Sequence, residues 1–190
     1  EESFFKKIYP NESIKNSTQF KNEIKKSIES QYDQQSDQKF LDDVTKKLIE
    51  EVKFDLPRKF LIKWLQKRDE KEISLENATE QFEKSQKGLR YQLIEEEIIN
   101  HNNLKVEEKE IKEFAKKIFL RQFGQISKKD NNQEIEQMVE RILRNEEERK
   151  RIIEQVKTGK LLKFFKENVK FKSKKLSYDS FIKIAYPTTQ

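Results

Sequence analysis

An all-α, multi-helix chain is what this sequence predicts, and three observations carry the prediction. The 190 residues include only three glycines and three prolines, far too few for the turns of a sheet protein. Charged residues make up 40% and hydrophobic residues 33%, so the apolar side chains are spread thinly. Leu, Ile, Val and Phe still number 53, about 28%, above the roughly 20% level below which a charged chain stays unfolded. Finally, apolar residues recur every three or four positions along most of the chain, the helical period, and no run alternates as a strand does.

Residues 1–17 read as a connector, with Phe4, Phe5, Ile8 and Tyr9 as a short apolar patch ended by Pro10-Asn11. Ser17 or Thr18 can cap the helix that follows, because a side-chain oxygen there accepts from a free N–H of the first turn. Phe20, Ile24, Ile28 and Tyr32 then form one stripe, and Leu41, Val44, Leu48 and Val52 resume it. Asp33 to Lys39 carries no apolar residue between them, which predicts a single helix over 18–52 with a solvated middle. Phe54-Asp55-Leu56-Pro57 ends it. The residue before a proline is biased out of the helical region, while proline suits the first turn of a new helix. Asp55 is a candidate cap there. Phe60, Leu61, Trp64 and Leu65 follow in the densest apolar run of the chain, which fades into Arg68-Asp69-Glu70-Lys71-Glu72.

Ser74 is placed to cap the next helix, and Leu75, Ala78, Phe82, Leu89, Leu93, Ile94 and Ile98 keep one phase through it. Gly88 lies off that stripe, at a cost of about 1 kcal/mol relative to Ala, and leaves the helix whole. His101-Asn102-Asn103 is a stop. Glu107 and Glu108 complement the positive end of a further helix, with Ile111, Phe114, Ala115, Ile118, Phe119 and Phe123 as its stripe and Gly124 as its left-handed cap. Residues 125–132 are a polar loop. Ile135, Met138, Val139, Ile142 and Leu143 come next. The polar run from Asn145 to Arg151 is expected to continue the helix on i,i+4 pairs, Glu146 with Lys150 and Glu147 with Arg151. Ile152, Ile153, Val156, Leu161, Phe164, Phe165 and Val169 restore the stripe, and a short helix from Ser177, with Phe181 and Ile184, ends at Pro187. The segments are therefore 1–17, 18–52, 57–124, 131–170 and 177–186 within one helical domain.

The same residues exclude most chemistry. Without cysteine there is neither disulfide nor thiolate, which suits a reducing compartment. No apolar run approaches the ~20 residues of a membrane span. The start lacks a signal-peptide core and an initiator Met, which leads to the expectation of a fragment of a longer chain. With His101 as the only histidine, a metal site or a Ser-His or Cys-His pair has no second member. Glu95 to Glu97 and Glu146 to Glu148 are consecutive and fan around their helices. Gly88, Gly124 and Gly159 stand singly, so no loop can cradle a phosphate. No catalytic residue, metal or cofactor is expected. Twelve basic and five acidic residues lie between Arg144 and Lys175, against a net charge of +6 for the whole chain. That stretch could attract nucleic acid or an acidic partner, or simply be a solvated face.

The order of boundary signals resembles a known family. Val52 to Pro57 closes a long helix, and His101-Asn-Asn-Leu-Lys-Val closes another. Glu107, Glu108, Glu110 and Ile111 open a helix ending in Phe123-Gly124. With Phe4-Phe5-Lys-Lys-Ile8 and Thr18-Gln-x-Phe20-Lys-x-Glu23-Ile24, these resemble the C-terminal chaperone domain of bacterial trigger factor over nearly the whole chain. Tyr9-Pro10-Asn11 departs from the pattern, where relatives often carry a glycine turn. The resemblance implies an elongated fold, a helical body with two protruding helical arms: 57–124 the first arm region, 131–170 second-arm and body helices. It implies an ATP-independent, cytoplasmic chaperone for unfolded or nascent polypeptides. The family's ribosome-docking domain and prolyl-isomerase domain are not among these residues. Ribosome association, isomerase (rotamase) activity and any link to cell division therefore fall to the full-length protein.

For a chaperone, the candidate polypeptide-binding residues are Phe54, Leu56, Phe60, Leu61 and Trp64 at the elbow, Phe114, Ile118, Phe119 and Phe123 near Gly124, and Phe164 and Phe165. Each must be weighed against core packing, since an aromatic stripe at helical spacing usually faces another helix. Turning the chain at Pro57 can by itself account for the elbow cluster, which shifts the expected client contact towards the Gly124 tip and the later helices. The alternative from another class is a helical scaffold or adaptor that binds nucleic acid or an acidic partner through 144–175. Nucleic acid ranks behind polypeptide as a partner, no membrane is expected, and a weak homodimer is a further expectation.

Overall fold

A computed structural model describes residues 8, 14–68, 71–123 and 132–185. Among them the chain is all-α, with seven helices: α1 Ser17–Glu51, α2 Arg58–Lys67, α3 Leu75–His101, α4 Glu108–Phe123, α5 Asn132–Arg144, α6 Glu146–Asn168 and α7 Tyr178–Ala185. The chain divides into two compact units, Phe40–Leu104 as one, Glu1–Lys39 with Lys105–Gln190 as the other.

Local chemistry sets most boundaries. α1 is one helix across its polar middle, but its cap is Asn16, not Ser17 or Thr18: Asn16 Oδ1 accepts from the Gln19 N–H at 2.9 Å. α2 begins after Pro57 with no side-chain cap, so Asp55 does not serve there. Ser74 caps α3 by accepting from the Asn77 N–H at 3.1 Å. α3 ends at Asn102, and Asn103 takes the left-handed conformation at φ 53°. The Leu104 N–H then reaches back to the Ile99 carbonyl at 2.9 Å, the bond that closes a helix around a left-handed residue and leaves two apolar side chains flanking it. Gly124 and the polar loop after it lie outside the described residues, as do Pro187 and the connector apart from Ile8 and residues 14–17.

One boundary corrects the sequence reading. The helix does not continue through 145. Asn145 sits in the extended region at φ −76° and ψ 115°, and its Oδ1 accepts from both the Glu147 and Glu148 N–H groups. Three acidic residues then occupy the first turn of α6, where the helix dipole favours them. Tertiary packing requires the break. α5 and α6 both pack on α4 and on each other, so the chain must reverse between them.

The unit of α4, α5 and α6 has a core of Ile111, Ala115, Ile135, Val139, Leu143, Ile152 and Val156. Ion pairs tie its rim: Arg149 to Glu108 at 2.6 Å, and Lys160 to Glu110 at 2.8 Å. Glu110 also accepts from the Glu107 N–H at 2.8 Å. Lys160, then the Glu107 N–H, holds the Glu110 carboxyl below the usual carboxylate range. A depressed folded-state pKa stabilises above the unfolded value and is lost as pH falls through the folded one. Glu110→Gln should therefore lose less stability than wild type as pH falls from neutral through the lowered folded-state pKa of Glu110. The difference expected is about 0.5–1 kcal/mol, since the pair is part-exposed, measured by urea unfolding at each pH.

Candidate functional site

The Phe40–Leu104 unit is built on α2 against α3. Ile62, Ala78 and Phe82 are buried between them, with Leu56, Leu61, Leu65 and Ile73 packed around. α2 is apolar at 60, 61, 62, 64 and 65, more of its circumference than one neighbouring helix can cover. At about 100° per residue, Leu61, Ile62 and Leu65 share the face turned to α3. Phe60 and Trp64, one turn apart, fall on the flank. They stay 65% and 49% exposed.

The unit has two open grooves, one of them bordering this face. The bordering groove, about 450 Å³, is lined by Leu61, Trp64, Leu65, Phe82 and Leu89 together with polar residues, among them Arg68, Lys84 and Gln92. The other, about 520 Å³, lies between the last turns of α1 and the C-terminal half of α3. Leu48, Val52, Phe54, Leu93, Ile94 and Ile98 line it, with Glu97 as its only charged residue. Arginines frame the aromatic rings: Arg58 lies 5.7 Å from the Phe82 centroid, Arg68 5.5 Å from Trp64 and Arg90 5.0 Å from Phe54. Arg90 also donates to the Phe54 carbonyl at 2.7 Å, and Arg58 pairs with Glu83 at 2.7 Å. Such guanidinium contacts add about 0.5–1 kcal/mol each at exposed sites and keep polar groups beside apolar surface.

The elbow residues expected to be consumed by the turn are thus only partly so. Leu56 and Leu61 pack on the core, Phe54 is half-buried under Arg90, and Phe60 and Trp64 remain open. The later helices show the opposite. Phe114 and Phe119 pack against the α4–α6 core and Ile118 is 37% exposed. Phe165, 3% exposed, is packed in the core, and half-buried Phe164 leans on it with ring centroids 5.8 Å apart. The Phe123 side chain lies outside the described residues. So the weight expected on the later helices returns, among the described candidates, to Phe60 and Trp64.

Several exposed apolar residues were not singled out as contacts: Val52 and Leu93 beside the second groove, Leu75 in the first turn of α3, Met138 on α5, and Phe171 beyond α6. The available signal was positional. Leu75 precedes any helix partner, and Phe171 stands among lysines outside a helical stripe.

Among the described residues no group of His, Asp and Glu could hold a metal ion, and no charged or polar residue is buried. No helix there is long and apolar enough to cross a membrane. Compared with known families, residues 36–185 match the model described as "Probable trigger factor, C-terminal domain". No curated protein and no solved structure matches the chain.

Proposed function

This chain belongs to the trigger factor C-terminal domain family, and from that membership we propose that it is an ATP-independent chaperone module that binds unfolded or nascent polypeptides. The observation that carries the reading is the open apolar flank of α2, where Phe60 and Trp64 stay exposed and Trp64 lines an open groove, in a chain that is 40% charged. Exposed apolar surface of this kind binds the side chains that a non-native chain has not yet buried. Each contact is weak. Several on one client raise the effective affinity through local concentration and release it as the client folds. The surrounding charge keeps the complex in solution. On this reading the residues bind and shield, make or break no bond, and work in the cytoplasm.

The test is aggregation of a chemically denatured client on dilution, followed by light scattering. At several-fold molar excess the chain should suppress most of the scattering without nucleotide. Unchanged scattering at that excess would refute the proposal.

A further inference from the structure

Residues 169–176, Val-Lys-Phe-Lys-Ser-Lys-Lys-Leu, join α6 to α7 without helix, starting from Val169 in the extended region at φ −99° and ψ 131°. All eight residues are exposed. They contain four lysines, and no acidic residue occurs between Glu167 and Asp179. Of the four lysines from 157 to 166 just upstream, three behave differently. Lys157 meets Glu154 at 2.6 Å, Lys160 meets Glu110 at 2.8 Å and Lys166 meets Asp37 at 2.5 Å. Among the described residues, Lys170, Lys172, Lys174 and Lys175 have no ion-pair or hydrogen-bond partner. The main chain of residue 170 and of residues 172–176 makes no hydrogen bond there either.

The segment is nonetheless held at both ends. Lys166 is tied to Asp37, and the Tyr178 ring stacks on Tyr32 with centroids 5.4 Å apart, both on α1. A segment fixed at its ends loses less entropy on binding than a free one.

We infer that residues 169–176 are a docking strip for extended, acidic polypeptide segments. In the extended conformation that pairing with a second main chain requires, alternate residues share a side, so Lys170, Lys172 and Lys174 would form one charged row, and Val169 and Phe171, followed by Ser173 and Lys175, the other. The row offers three point charges to carboxylates spaced two residues apart, and the open N–H and C=O groups offer a ladder to a second main chain. That ladder favours polypeptide over nucleic acid, which has no matching row of peptide groups. Single-stranded nucleic acid would instead want several stacking rings along the basic track, and the strip has one, Phe171. The inference rests on the chaperone reading and adds to it a class of client segment: acidic residues alternating with bulky apolar ones.

The test uses the full 190-residue chain and fluorescence anisotropy at low salt with three probes: a Glu-Val/Glu-Phe alternating peptide, its Gln-for-Glu counterpart and a single-stranded RNA of similar length. Wild type should bind the Glu peptide about tenfold more tightly than the Gln peptide, a preference that fades with salt. Replacing all four lysines (K170Q, K172Q, K174Q, K175Q) should abolish the preference. The side chains are exposed and unpartnered, so helicity by circular dichroism should not change. Ser173→Pro, which removes one open N–H, should also weaken Glu-peptide binding. Equal binding of the two peptides, a preference that survives in the fourfold variant, or tighter binding of RNA than of the Glu peptide would each overturn the inference. Failure of the strip is distinguishable from failure of the chaperone reading. If only the strip is wrong, the fourfold variant and wild type still suppress aggregation equally and do not differ in their preference for Glu. If only the chaperone reading is wrong, the Glu preference persists in a chain that protects no client.

Discussion

Truncating Phe82 to Ala should destabilise the α2–α3 unit by about 3–5 kcal/mol, the range for an aromatic removed from a core. Phe82 is 4% exposed, and among the described residues only Ile62 and Ala78 share its buried cluster. A core that small has few neighbours able to collapse into the space. The loss also strips a wall from the groove beside Trp64 and removes the ring that Arg58 covers. Trp64, the chain's only tryptophan, sits in this unit and reports on it alone. Its fluorescence should change at much lower urea in the variant. The buried residues of α4, α5 and α6 are untouched, so helicity measured by circular dichroism should fall only in part. A Trp64 transition at the wild-type urea concentration would show that this cluster does not hold the unit together.

Exchanging Phe60 and Trp64 together for Gln should have the reverse profile, with little effect on stability and a large one on function. Neither side chain is buried, and surface substitutions usually change stability by about 0.5 kcal/mol or less. Loss of the Arg68 contact on Trp64 adds about 0.5–1 kcal/mol. Both residues stand on the flank of α2 that no neighbouring helix covers, so the change removes the two largest exposed apolar side chains of the helix. The amount of chain needed to protect a denatured client should rise several-fold, while the urea midpoint followed by circular dichroism moves little. Leu75, also exposed but at the start of α3, offers a comparison: Leu75→Gln should reduce protection less, because it removes a single side chain outside both grooves.

Much of this fold is legible because its boundaries are local. Pro57 acts by restricting the backbone around it, and the Ser74 cap and the Asn102-Asn103 stop act through hydrogen bonds within a few residues, so the sequence displays all three directly. The break at Asn145 is equally local in form but tertiary in cause. The charged run after it supports a continuous helix as well as a new one, and only the need for α5 and α6 both to cover α4 decides between them. The candidate surface was half legible. The dense apolar run at Phe60 to Leu65 is visible in the sequence, where the turn at Pro57 accounts for it, yet Phe60 and Trp64 stay open. Which side chains stay open depends on how wide a face α3 presents, and nothing in the local pattern gives that width. The burial of Phe165 is hidden for the same reason: a stripe position names a helix face without saying whether another helix lies on it.

Photo-cross-linking from α2 tests the central claim most directly. With a benzophenone amino acid at position 60, and a control at the exposed polar position Glu113 on α4, a denatured client is added and the mixture irradiated. The chaperone account predicts strong client adducts from position 60, few from position 113, and loss of the position-60 adducts as the client folds. Equal yields from both positions, or adducts from position 60 that do not depend on the client's being unfolded, would contradict it.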